Sequence, residues 1–396
     1  MSEWKKARLS DCCQSIADGD HQPPPKAEKG IPFVTIANIT SSNQFDFSNT
    51  LHVPREYYES LDYKRKPQKN DVLYSVVGSF GIPVFMKYEK EFVFQRHIAI
   101  LRPNSEILLP KFLYYSMLTK DFYAQADAAA IGAAQRTVSL SALRNMKIAL
   151  PPMKEQIRIS GILSNYDDLI ETNQRQIKLL EESAQRLYKE WFIDLRFPGH
   201  ENVPVVDGVP EGWEKRSMED IAEYINGYAF TPSDWGKIGK PIIKIKELND
   251  GITKNTPRNN GEDIPEKYSI TAGDIILSWS ATLTAKIWDD EDGLLNQHIF
   301  KVIPHTGICR EFVLQSILRT LDEFGNLTTG ATMKHIQRGK LSQVVVLVPA
   351  KEVMMKFEAQ VEVVRKQILT IMHSVHMLEE ARDRLLPQLM SGEIEV

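Results

Sequence analysis

Two stretches of the chain carry apolar side chains at a spacing that alternates between three and four residues. One runs Leu163, Tyr166, Ile170, Asn173, Ile177, Leu180, Ala184, Leu187, Trp191. The other runs Phe357, Val361, Val364, Ile368, Ile371, Val375, Leu378, Arg382, Leu385, Leu389. A sustained seven-residue repeat keeps one stripe on one side of a helix and predicts coiled-coil packing. At about 1.5 Å per residue the first stripe is about 42 Å long. Asn173 in the first stripe and Arg382 in the second are polar; a seam residue such as Asn173 fixes register or orientation at some cost in stability. Elsewhere the pattern shortens. Apolar runs at 72–77, 92–101, 275–276 and 344–348, bounded by Gly, Pro and Asn, read as strands. Asp292-Gly293 reads as a hairpin turn. A calcium loop at 289–293 would need alternating oxygen ligands and a closing Glu, which are missing.

The same order, strands and then a long helix, occurs twice. Trp4, Asp11, Ile16 and Pro32 recur 209 residues later as Trp213, Asp220, Ile225 and Pro241. The offset is 203 at Asn70-Asp71-Val72/Gly273-Asp274-Ile275 and 201 at His97-Ile98/His298-Ile299. From Gly132/Gly330 it is 198 and holds through Leu180-Glu181-Glu182/Leu378-Glu379-Glu380. Drifting offsets are what duplicated domains with altered loops leave. The predicted fold is α+β: two duplicated β-rich α/β domains separated by an antiparallel pair of long helices, with pseudo-twofold symmetry. The division is a first domain over 1–150, a central helix over 151–198, a linker over 199–210, a second domain over 211–348 and a C-terminal helix over 349–396. Two similar domains on a stiff rod suit a ligand with two spaced sites, such as double-stranded DNA.

Composition narrows the class. The 396 residues are 42% hydrophobic and 25% charged, which is ordinary for a globular chain. No apolar run reaches the ~18 residues of a membrane span. The opening Met1-Ser2-Glu3-Trp4 lacks a signal-peptide core, and three cysteines make no disulfide framework, so a cytoplasmic location is expected. The net charge of −4 divides unevenly, +4 over 1–150 against −5 over 201–350, so only the first domain is mildly inviting to a polyanion. Catalytic motifs are missing. Gly236-Lys237-Ile238-Gly239-Lys240, followed by Pro241, is no phosphate loop. Asp62-Tyr63-Lys64 matches only the tail of a nuclease motif. Leu150-Pro151-Pro152-Met153 lacks the acid or amide and the aromatic of an amino-methyltransferase motif. No Cys/His set has zinc spacing, and His97 and His298 read as hydrogen-bonding or DNA-contact residues. Neither a catalytic residue nor a metal or cofactor site is expected.

The helix lead-in Ile148-Ala149-Leu150-Pro151-Pro152-Met153-Lys154-Glu155-Gln156, the helix end Leu187-Tyr188-Lys189-Glu190-Trp191-Phe192 with Arg196-Phe197-Pro198-Gly199-His200, and the ending Arg384-Leu385-Leu386-Pro387-Gln388-Leu389-Met390-Ser391-Gly392-Glu393-Ile394 resemble the specificity subunits of type I restriction–modification systems. The resemblance covers the whole chain. It implies a non-catalytic subunit whose two target recognition domains each read one half of a bipartite DNA site, with the helices setting the unread spacer. It implies two methyltransferase subunits as partners, which bind S-adenosylmethionine and methylate adenine N6, and restriction subunits using ATP and Mg. The second helix begins Pro349-Ala350-Lys351-Glu352 and so lacks the Pro-Pro and Glu-Gln of the first. The competing readings are a stand-alone DNA enzyme and a coiled-coil scaffold that does not touch DNA.

DNA contact needs cations for phosphates and forked hydrogen-bonding groups for base edges. In the first domain the candidates are Lys64, Arg65, Lys66 and Lys69 in a basic cluster, Ser79 in the turn Gly78-Ser79-Phe80-Gly81, and Arg96, Gln135 and Arg136. In the second they are Lys244, Lys246, Asn249, Trp279, Gln297, Lys334 and His335. Gly132 and Gly330 each lead a loop with a cation four residues on, Arg136 and Lys334, and such a glycine-led loop recurs in the resembled family.

Overall fold

The structure is a computed structural model that describes residues 4–20, 23–40, 42–133, 135–253, 255–279, 283–326 and 338–396. The chain forms two compact units, Met1–Glu171 with Val375–Val396, and Thr172–Ser374.

In the first unit the strands are β1 (Lys5–Arg8), β2 (Cys13–Asp18), β3 (Ile31–Val34), β4 (Leu51–Val53), β5 (Val72–Ser75), β6 (Pro83–Phe85), β7 (Val93–Phe94), β8 (Ile98–Pro103) and β9 (Lys147–Leu150). An antiparallel sheet is ordered β2-β8-β5-β6, a second sheet β4-β3-β7, and β1 pairs with β9. β5 is buried at all four positions, so its apolar run is continuous instead of alternating. Leu73 faces one core with Val34, Phe92, Phe94 and Ile98. Val72 and Tyr74 face another with Phe112 and Leu113 of the helix Pro110–Met117. Each fully buried large apolar side chain contributes about 1.5–3 kcal/mol. The predicted single strand over 92–101 is two strands. β7 lies parallel to β3, β8 lies between β2 and β5, and the turn Gln95-Arg96-His97 carries the chain from one sheet to the other.

The second unit contains β10 (Val205–Val206), β11 (Val209–Pro210), β12 (Glu214–Ser217), β13 (Ala222–Asn226), β14 (Lys240–Ile243), β15 (Arg258–Asn259), β16 (Ser269–Ile270), β17 (Ile275–Ser278), β18 (Thr284–Ile287), β19 (Gly293–Leu295), β20 (Ile299–Pro304) and β21 (Val345–Val348). Its sheets are β13-β20-β17-β18 and β15-β14-β19-β16, with β12 paired to β21. β14 and β19 run parallel, as β3 and β7 do. The two units therefore share one build. One reading is corrected: Asp292-Gly293 is no hairpin turn. β18 pairs with β17, whereas β19 pairs with β14 and β16, so 289–293 crosses between sheets. In that segment Asp289 pairs with Lys286 and Glu291 with Arg258.

The central helix is Met153–Tyr188, continued by a π-helical turn Lys189–Ile193, and the C-terminal helix is Lys351–Ser391. Leu163, Ile170, Trp191, Phe357, Val361, Ile368 and Leu389 are buried on the seam. Tyr166, Asn173, Ile177, Leu180, Leu187, Val364, Ile371, Val375, Leu378 and Leu385 are half-buried. In the first unit Leu163 near the start of the central helix shares a core with Leu389 near the end of the C-terminal one, and Arg382 donates to Asp167 at 3.0 Å. In the second unit Phe357, near the start of the C-terminal helix, lies 6.5, 5.9 and 4.8 Å from the rings of Tyr188, Trp191 and Phe192. Start meets end in both units, so the helices pair antiparallel.

Gln156 joins the first domain to its helix. Its amide accepts from Leu109 N at 2.8 Å and donates to the carbonyls of Ile107 and Pro151, each at 3.0 Å. The equivalent residue of the second helix, Met354, is buried in an apolar core.

Candidate nucleic-acid interface

The basic cluster of the first domain is largely committed to its own protein. Arg65, in a 3-10 turn Tyr63–Arg65, reaches Asp18 at 3.5 Å and Asp20 at 3.9 Å. Lys66 donates to the Glu59 carbonyl at 2.8 Å and lies over the Tyr58 ring. Lys64 is exposed, 5.9 Å from the centre of the Tyr63 ring, and Lys69 is exposed. Behind them Arg102 donates to both carboxylate oxygens of buried Asp71, at 2.9 and 2.8 Å, and to the Lys66 carbonyl. The Asp71 hydrogen bonds hold the Arg102 guanidinium above its ordinary pKa against the opposing effect of burial.

A second group gathers where two loops meet. Between β5 and β6 the chain turns through Gly78 and Gly81, whose φ values of 69° and 97° favour glycine. Residues 135–137 lie against this turn: Gly78 N donates to the Arg136 carbonyl at 2.9 Å, and Val77 bridges Thr137. Ser79, Gln135 and Arg136 are therefore exposed neighbours. Arg136 lies over the Phe80 ring at 5.3 Å, Phe80 stacks on Tyr123, and the guanidinium is paired with Asp127 at 2.6 Å. An exposed pair of this kind is worth about 0–1 kcal/mol, so a phosphate can exchange for Asp127. The equivalent loop of the second domain, with Lys334 and His335, lies outside the described residues.

A third group repeats in both units. Arg96 is the tip of the turn between β7 and β8, and Gln297 is the tip between β19 and β20. Arg96 is exposed and Gln297 half-exposed. Burial, with the Arg96 charge added, pulls the neighbouring His97 below its ordinary pKa. Trp279 donates through its indole nitrogen to Asn226 at 3.0 Å and lies 5.6 Å from the His298 ring. Lys244 is 5.0 Å from the centre of the Trp235 ring, and Lys246 and Asn249 are exposed on the short helix Ile245–Asp250. The candidates of each domain thus form separate small clusters. The candidate list drawn from the sequence left out Phe80, Tyr123 and Asp127, which neighbour Arg136, and Gly19 and Gly227, which lie against the turns that carry Arg96 and Gln297. The two glycines were detectable, because Gly19-Asp20 and Gly227-Tyr228 lie 208 residues apart, close to the repeat offset.

Among the described residues no group of three or more His, Cys, Asp or Glu side chains could hold a metal, and no helix is long and apolar enough to cross a membrane. A family model for the type I restriction modification DNA specificity domain matches residues 1–182 and again 210–384. The chain belongs to this family. It is a specificity subunit, which is non-catalytic; modification and cleavage are the work of partner subunits. The chain is 23% identical to the HindI specificity subunit of Haemophilus influenzae, over 100% of both chains. It is 24% identical to the MjaIX specificity subunit of Methanocaldococcus jannaschii, over 73% of this chain and 70% of that one. The S subunit of a type I restriction-modification system from M. genitalium has the same fold, with a TM-score of 0.53, 15% identity and coverage of 98% of this chain and 96% of that one. The specificity subunit acts on DNA within a complex and as a family binds no cofactor itself.

Proposed function

We propose that this specificity subunit selects a bipartite site on double-stranded DNA, each domain reading one half, and brings two adenine-N6 methyltransferase subunits to it. S-adenosylmethionine belongs to those partners, and ATP and Mg to restriction subunits that join them. The observation that carries the reading is the duplication: one build occurs twice, joined by helices whose seven-residue seam spacing continues through both, with Asn173 and Arg382 as its polar positions. Two readers roughly add their discrimination, which a single reader of a few base pairs does not attain. Ser79, Gln135 and Arg136, with Lys64 and Lys69, supply the polar and cationic face of the first domain. Lys244, Lys246, Asn249 and Trp279 supply that of the second, with Lys334 assigned by the repeat to the role of Arg136 and His335 next to it in the sequence.

A gel shift of the chain co-expressed with its methyltransferase subunit tests this. Binding to one bipartite sequence that is lost when either half is scrambled supports it. Equal binding to all duplexes, or none, refutes it. Arg136→Ala weakens binding across sequences and flattens its logarithmic salt slope by about one unit.

A further inference from the structure

Two turns, one in each domain, are held by the same backbone cage and carry different side chains at the tip. In the first domain Gln95 N donates to the Val34 carbonyl at 3.1 Å, Arg96 N to Asp20 at 3.0 Å, and Ile98 N to Gln95 at 2.9 Å. In the second domain Asn296 N donates to Ile243 at 3.0 Å, Gln297 N to Tyr228 at 2.9 Å, and Ile299 N to Asn296 at 3.0 Å. Asp20 N and Tyr228 N close the other side on the carbonyls of Phe94 and Leu295, at 3.0 and 2.8 Å. Each cage admits only glycine beside it. A Cβ on Gly19 would stand 2.0 Å from the Phe94 oxygen, and one on Gly227 would stand 2.2 Å from the Asn296 oxygen. The turn is thus rigid, and backbone bonds alone position it, independent of what the tip carries.

The tip side chains are uncommitted. Among the described residues neither Arg96 nor Gln297 has a side-chain hydrogen bond or ion pair, whereas Arg65, Arg102 and Arg136 all do. Arg96 also borders a cleft lined by Asp20, Pro23, Lys26, His52 and Gln95. A fixed frame with an interchangeable, unpaired forked donor is what base readout needs. Arg matches the two acceptors of guanine, O6 and N7, and Gln matches the donor and acceptor of adenine, N6 and N7. We propose that Arg96 reads a guanine in one half-site and Gln297 an adenine in the other. This rests on the DNA-reading function proposed above.

The test uses the full chain co-purified with its methyltransferase subunit. Arg96→Gln and Gln297→Arg are compared with the unaltered complex on a DNA pool randomised across the site, and methylated products are sequenced. The expected result is that Arg96→Gln lowers the preference for guanine at one position by about tenfold or more, leaving the other half-site unchanged. Gln297→Arg does the reverse, lowering an adenine preference in the second half-site only. Thermal melting stays the same, because the cage is made of backbone. Unchanged preferences in both variants, or an equal loss over all sequences as a phosphate contact gives, overturn the assignment. An unaltered complex with no bipartite preference would instead remove the underlying function.

Discussion

Arg96 and Arg102 stand six residues apart in the sequence and do opposite work. Arg102 is half-buried, pairs with buried Asp71 and ties β8 to the chain before β5; Arg96 is exposed at a turn. Breaking a buried pair by removing one partner costs about 3–5 kcal/mol. Arg102→Ala therefore lowers the urea-denaturation midpoint sharply, while Arg96→Ala stays within about 0.5 kcal/mol of the parent. Gly19→Ala is the backbone counterpart, since its Cβ meets a carbonyl oxygen that cannot move aside. It lowers the melting temperature and also weakens sequence preference. The sequence did not separate these arginines. Arg65 stands in the basic cluster and Arg102 at the end of an apolar strand, and the carboxylates that claim them, Asp18, Asp20 and Asp71, lie 31 to 47 residues away in the chain. Which cation is free for DNA is decided by tertiary pairing, which local spacing does not carry.

At the scale of elements, the helices were legible because their period spans four heptads, far beyond what local accidents produce. No described seam position is exposed. Phe357 touches three rings of the central helix end, so Phe357→Ala costs about 3–5 kcal/mol by denaturant unfolding. Glu379 gives a pH signature. Burial, reinforced by Asp383, raises its carboxyl above the ordinary 4.5, outweighing Arg382 and His376. A carboxyl raised in the folded state costs stability above its folded pKa, and that cost disappears below its unfolded pKa. Glu379→Gln thus raises the melting temperature at neutral pH and leaves it unchanged near pH 4. Two features were hidden. The run 92–101 is apolar throughout except at its turn, so nothing in its periodicity shows the change of sheet. The π-helical turn Lys189–Ile193 is hidden because the seam step from Leu187 to Trp191 is the four-residue step of an ordinary α-helix.

For the whole molecule, the duplication was readable from offsets alone, and the strands fall on them. β3 and β14 are 209 residues apart, β5 and β17 203, β8 and β20 201, and β9 and β21 198. The constant last offset spans the helices, where an insertion would shift every seam residue off its stripe. Adding one heptad to both helices preserves the seam and lengthens each by about 10.5 Å. That equals about three base pairs of duplex, so the unread spacer of the DNA site grows by that amount in methylation mapping. The most direct test of the central claim is base-resolved mapping of methylated adenine in cells that carry the methyltransferase subunit, with and without this chain. The account predicts methylation that depends on the chain and falls on one motif of two defined halves separated by a spacer of fixed length. Methylation that persists without the chain, or a single uninterrupted motif, would contradict it.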